Sequence, residues 1–407
     1  MLLRRKLPYL LLCAPMIAAG CFGGSIEDDT GETQGDGDPG DGDPGDGDPT
    51  GDGDPGDGDP TGDGDPGDGD PGDGDGDPNM CTPEETACGD ACVVLSEDPA
   101  HCGACDHDCL GGMCLDGTCE PVELASGKGR LFMVHVDLDN IYYGGDGVDV
   151  GRIGKDGSGD TVLIPAGDVQ SSEWCYDSAF TGDAVVWGND WVQPGVRGCS
   201  TPDCSGGVQT FFGGTNLLAM AYDANNGELY WTQGPDLVKA AWPNGNQTLV
   251  SAGQNPRDIT TDGDFVYWIA REAVDDLHIR KLPVGGGPLV ELAINRMQGN
   301  GLAVGGGKIF WAENVGIVEA ALPNGIGGAD PLVFADVNEV RRIISDSNYL
   351  YWTSNQDGVG TVARCPHDGC NGPPEILAQV PQPWGIALDP VAVYFVTEAG
   401  SIYKVAK

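Results

Sequence analysis

The run CGACDHDC sets Cys102, Cys105, His107 and Cys109 within eight residues, close enough for thiolates and an imidazole to hold zinc. It also approaches the pattern of covalent haem attachment, but Asp106 stands where the histidine is required and His107 comes one residue late. A second candidate chemistry is hard-cation binding by the stretch 36–78, in which GDGDP recurs and 17 residues are Asp. An EF-hand loop needs a closing Glu and flanking helices, and the nonapeptide calcium repeat needs an apolar residue in every turn. The stretch has neither, which leaves weak, unspecific divalent binding. For proton transfer the candidates beyond residue 120 are His135, His278 and His367. No serine-hydrolase elbow and no metalloprotease helix motif is present.

Which of these chemistries is available depends on the compartment. Arg4, Arg5 and Lys6 precede a mainly apolar run, Leu7 to Ala19, too short to span a bilayer as a lasting helix and ending in small residues. Residues 1–20 therefore read as an export signal. Its end, Ala18, Ala19, Gly20, Cys21, resembles the lipobox of bacterial lipoproteins, with Ala18 where that family prefers Leu. The resemblance implies cleavage before Cys21 and lipid on its new N-terminus. Phe22, in place of Asp, points to the outer membrane, on its periplasmic or outward side. An exported chain folds where thiols oxidise, so disulfides are expected rather than zinc or haem.

Residues 21–78 carry no basic side chain and, from Asp36, nothing apolar larger than Pro. Such a chain buries nothing to offset its ordering entropy, and it is expected to be a disordered, self-repelling tether. Residues 79–120 form a different segment, with eight cysteines: Cys81, Cys88, Cys92, Cys102, Cys105, Cys109, Cys114 and Cys119. An even number in a segment too small for a core implies a disulfide framework, whose connectivity the sequence leaves open among 105 pairings. The run CGDAC…DPAHCGACDHDC…GGMCLDGTC resembles the cysteine-rich module of stigma-specific secreted proteins, which implies no catalysis.

Residues 121–407 are built of short β-branched and aromatic runs broken by Gly, Pro, Asn and Asp. IYYG at Tyr143, VVWG at Trp187, LYWT at Trp231, VYWI at Trp268, IFWA at Trp311, LYWT at Trp352 and VYFV at Phe395 recur every 37 to 44 residues. That is the period of a four-stranded propeller blade. The fold class is therefore all-β, a seven-bladed β-propeller. Adjacent residues on a strand face opposite ways, so Tyr230 and Trp231 are expected to pack against different neighbours. The chain stops too soon after Phe395 for a fourth strand, and PVELA (Pro121–Ala125) matches PLVELA (Pro288–Ala293), so the N-terminal strand is expected to complete the last blade. Cys199 with Cys204, and Cys365 with Cys370, fall between third and fourth strands and are expected to clasp those hairpins. Cys175 is left over.

The anchors resemble the YWTD repeats of receptor-type propellers. That family has six blades, the alternative count here, and an Asp after YWT, where this chain has Gln233 or Ser354.

From Glu120 on, 35 acidic residues oppose 17 basic ones, a net charge of −18 that repels phosphate backbones and argues against nucleic acid. The reading is a non-catalytic, lipid-anchored binding or adhesion protein, monomeric, touching the membrane through its anchor alone, with an envelope protein or glycan as partner. Propeller ligands commonly meet the loops around the central channel, which makes Arg257, Arg341, Arg342 and Trp384 candidates at the approaches to inner strands. Trp174 and Trp191 are candidates on irregular segments. The three histidines are expected not to converge. No cofactor is expected, calcium being the ion its carboxylates could take. The alternative is a lyase- or lactonase-type propeller enzyme with a metal at the channel.

Overall fold

A computed structural model describes residues 81–407, less 146, 167–177, 190–193, 274–275, 297–299, 315, 323–331 and 357. The export segment, Cys21, the acidic tether, Trp174, Cys175 and Trp191 lie outside the described residues.

Beyond residue 120 the chain forms seven four-stranded antiparallel sheets, and the described residues contain no helix. Six sheets are simple meanders. In the third blade, for example, Met220–Asp223, Glu228–Gln233, Asp236–Ala241 and Thr248–Ser251 pair in sequence order. The inner strands of the seven blades are Met133–Val136, Ser178–Phe180, Met220–Asp223, Pro256–Thr261, Asn300–Gly305, Val340–Ser345 and Pro383–Leu388. Each contacts the next, and the last contacts the first, so the sheets close into a ring. The fold is a seven-bladed β-propeller.

Closure occurs as the PVELA match implies. Val122–Ala125 is the outer strand of the seventh blade, with Ile402 opposite Ala125 and Lys404 opposite Val122. No open edge is left between chain start and chain end.

Each aromatic anchor lies on the second strand of its blade and is buried from both sides. Trp231 packs toward the second blade with Val186, Val196 and Phe212, whose ring stacks on it at 4.9 Å. Tyr230 packs toward the fourth with Ile259, Val266 and Trp268. The strand pleat separates the two neighbours, so both residues can be aromatic. A buried phenol needs a hydrogen-bond partner, and four blades supply it identically. Tyr142 donates to Asp137, Tyr267 to Asp262, Tyr351 to Asp346 and Tyr394 to Asp389, at 2.7 to 2.9 Å. The same Asp caps its turn. Asp346 Oδ1, for instance, accepts the main-chain N–H of Asn348 and of Tyr349 at 2.9 Å each.

The threonine of LYWT has a task of its own. Thr232 and Thr353 are fully buried. The Thr232 hydroxyl accepts the N–H of Leu218 at 2.5 Å and that of Ala219 at 3.3 Å, fixing the start of its inner strand.

All eight cysteines of the small module pair: Cys81–Cys92, Cys88–Cys105, Cys102–Cys114 and Cys109–Cys119. Cys199–Cys204 and Cys365–Cys370 clasp their hairpins as expected. The module packs on the seventh blade, where Cys102, Cys109 and Cys119 bury Ala406. His107 bridges the two parts, with Nδ1 2.5 Å from the Cys102 carbonyl oxygen and Nε2 2.8 Å from that of Lys407. The sulfurs of Cys102, Cys109 and Cys119 gather closely, but each is spent in a disulfide.

Candidate functional site

Four inner strands begin with a β-bulge. In the sixth blade Val340 pairs with Ser354 and Arg342 with Thr353, so Arg341 is skipped. In the fourth, Pro256 pairs with Ala270 and Ile259 with Trp268, and in the seventh Pro383 pairs with Thr397 and Ile386 with Phe395, so two residues face one. The fifth skips Gly301. Bulges re-aim side chains, and here they sort neighbours. Asp258, Arg342 and Gly385 line the central channel, while Arg257, Arg341 and Trp384 stand outside it at its rim. Sequence reasoning placed these candidates on loops; they lie instead within the first residues of inner strands, because the bulge lets the ladder begin before them. It also grouped Arg341 with Arg342, which the bulge parts.

At the rim the Arg341 guanidinium lies over the Trp384 ring at 4.8 Å, and that ring meets Phe132 edge-on at 4.8 Å. Arg130 covers Phe132 at 5.1 Å and pairs with Glu398 at 3.3 Å. Cations over aromatic faces are attracted by the ring quadrupole, so the row presents a flat, partly charged edge. Arg257, exposed, is held below the usual guanidinium range by partial burial and by the neighbouring Arg271 charge.

The channel encloses about 160 Å³. Its walls are mainly apolar, among them Met220, Ile259, Leu302, Ile343 and Ile386. Four side chains bring polar chemistry to it: His135, Ser178, Asp258 and Arg342. His135 Nε2 lies 2.8 Å from the Ser178 hydroxyl, across the junction of the first and second blades. Burial, then the Arg342 charge, lowers the pKa of His135 to about 4. It is therefore neutral near pH 7. Asp258 Oδ1 accepts the Ile259 N–H at 2.9 Å. Small residues keep the lumen open, and a side chain at Gly385 would strike the main-chain oxygen of Phe132.

The other two histidines stay on the blades. His278 lies between Asp276, at 3.2 Å, and Glu291, at 3.3 Å, on the fourth blade. His367 contacts the Ser345 hydroxyl at 2.8 Å and stacks on Phe310. Among the described residues the three do not converge. Sequence reasoning found Arg342 but passed over His135, Ser178 and Asp258 as a group. A signal existed: they precede their blade anchors Tyr143, Trp187 and Trp268 by eight to ten residues, as Arg342 precedes Trp352. Aligning the inner strands on the anchors puts all four in one ring.

The chain matches no protein-family model and no curated protein. Solved structures resemble it in shape. A catalytically inactive virginiamycin B lyase from Staphylococcus aureus, with quinupristin, aligns at TM-score 0.53 and 13% identity, over 71% of this chain and 98% of that one. The WD40 repeats of RRP9 align at 0.54 and 10% identity, over 70% and 97%. A chain of a nidogen/laminin complex aligns at 0.43 and 16% identity, over 59% and 97%. At these identities the likeness shows the propeller fold alone, on structures named for catalysis and for neither catalysis nor a substrate.

Proposed function

We propose that the protein is a non-catalytic recognition module of the cell envelope, and that its ligand docks on the rim of Arg257, Arg341 and Trp384 with one end in the central channel. The observation that carries this reading is the sorting of bulged pairs: one residue of each faces a potential ligand from the rim, the next from the channel wall. A cavity of about 160 Å³ matches one that admits a benzene-sized group, so the channel takes the tip of a ligand and the rim the rest. An exposed Trp edge beside guanidinium groups suits a glycan or a peptide terminus.

The Ser178–His135 contact is the feature an enzyme would use, as a nucleophile beside its base. A histidine held near pKa 4 is a weak base at neutral pH, which favours recognition over catalysis. The export signal and Cys21 support a lipid-anchored, outer-membrane location.

Calorimetric titration of the whole chain with a panel of glycans and peptides tests the site. Binding lost in both Trp384→Ala and Arg341→Ala supports the rim as the docking surface. Binding indifferent to both variants would sink it, and turnover of any panel member would make the protein an enzyme. For the anchor, Cys21→Ala should move the protein out of the membrane fraction, and unchanged fractionation would refute lipidation.

A further inference from the structure

The channel has a charge character opposite to that of the ring around it. Beyond Glu120 the chain carries a net −18, yet Asp258 is the one carboxylate among the described residues lining the channel. Against it stand Arg342 in the wall and Arg257, Arg271 and Arg341 about the rim. Arg257 and Arg271 come from the first and second strands of one blade, and their like charges oppose each other. Like charges brought together in a concave site are relieved when an anion enters.

The polar wall can also change its donor count. His135, in the inner strand of the first blade, faces Ser178 and Phe180 of the second blade and Arg342 across the channel, while Tyr142 on its own blade is occupied by Asp137. With the imidazole neutral, the Ser178 hydroxyl and Nε2 share one hydrogen between them. Once the imidazole is protonated, Nε2–H must donate to Ser178 Oγ, and the hydroxyl hydrogen is released toward the lumen. One proton gained thus yields a cation and a free hydroxyl donor in the same wall.

Resting on the channel reading above, we propose that the ligand's buried end is a small anionic group, a carboxylate, seated between Arg342 and His135, and that seating it draws one proton onto His135. The carboxylate accepts from the guanidinium and from the Ser178 hydroxyl, and the proton comes from solvent. No bond to carbon is made or broken. The lumen accommodates a group of about six non-hydrogen atoms, the size of a short carboxylic acid or a uronic acid tip.

The test is titration calorimetry of the full chain with acetate, glucuronate and inorganic phosphate between pH 7.5 and 5, in two buffers of different ionisation enthalpy. Linkage requires acetate and glucuronate to tighten below pH 6.5, by up to about tenfold per pH unit, with proton uptake approaching one per anion. His135→Gln, which keeps a partner for Ser178, should bind at pH 7.5 but lose the pH dependence, and Arg342→Gln should lose binding throughout. Tighter binding of phosphate than of either carboxylate would overturn the choice of carboxylate. Anion binding with no proton uptake, or with uptake that survives in His135→Gln, would overturn the role of His135. Neutral glycans that bind through Trp384 while no anion binds would overturn this inference and leave the rim reading intact. No binding of any probe, with each variant shown folded by its thermal melt, would remove both.

Discussion

The Thr353 hydroxyl of the sixth blade donates to the main-chain oxygen of Trp384 in the seventh, at 2.6 Å. A threonine that belongs to the repeated LYWT signature thereby fixes the residue that carries the rim. Packing and recognition meet at that bond.

Thr353→Val keeps the shape of the side chain and leaves the carbonyl without its donor. The expected cost is about 1–3 kcal/mol, since the hydroxyl is wholly buried. Chemical denaturation should show that loss, Thr353→Ser should recover most of it, and ligand binding at the rim should weaken in Thr353→Val alone.

Stability should fall in two steps as pH drops. Burial and the Arg342 charge lower His135 to about 4, so between pH 6.5 and 4 the unfolded chain binds a proton that the folded one refuses, and stability falls. For Asp346, burial raises the pKa, but the Lys407 ammonium, the N–H groups of Asn348 and Tyr349 and the Tyr351 hydroxyl outweigh it and hold it near 2. Its contribution, about 2 kcal/mol, is complete above pH 4 and lost between pH 4 and 2. Denaturation midpoints against pH should lose the upper step in His135→Gln and shrink the lower one in Asp346→Asn.

Peptide mapping of the unreduced protein should recover Cys81–Cys92, Cys88–Cys105, Cys102–Cys114 and Cys109–Cys119. Any other connectivity in the module would contradict the structure. Cys109 and Cys119 lie ten residues apart, and replacing both by Ala should cost about 2–3 kcal/mol. Because Cys119 leads almost directly into Val122–Ala125, that loss should appear in the melting of the propeller too.

Deleting residues 122–125 removes the outer strand of the seventh blade and bares Ile402–Ala406 along its edge. An unpaired edge recruits other chains. Light scattering should report self-association in the deletion and a monomer in the intact chain.

Substituting Trp231 by Ala empties a site with no solvent exposure between the second and third blades, and about 3–5 kcal/mol should be lost. Trp384→Ala at the half-exposed rim should cost far less stability while removing binding.

The sequence by itself determined the propeller. Burial on both faces of every blade forces aromatics such as Tyr230 and Trp231 into adjacent positions, and four strands with their turns need a nearly constant length, so the period shows in one dimension. The closing strand was legible from the likeness of PVELA to PLVELA, and the hairpin disulfides from the offsets of Cys199, Cys204, Cys365 and Cys370. The pairing within the small module was not, because eight cysteines on loops carry no periodicity that selects one of 105 connectivities. Arg257, Arg341, Arg342 and Trp384 were readable as residues near the channel, but their division between rim and wall depends on bulges, which arise from strand pairing and leave no mark in composition. His135 and Ser178 are 43 residues apart, and Asp258 and Arg342 come from two further blades. Only the closed ring brings the seven inner strands to a common centre, and it is there that one imidazole, one hydroxyl, one carboxylate and one guanidinium face the same lumen.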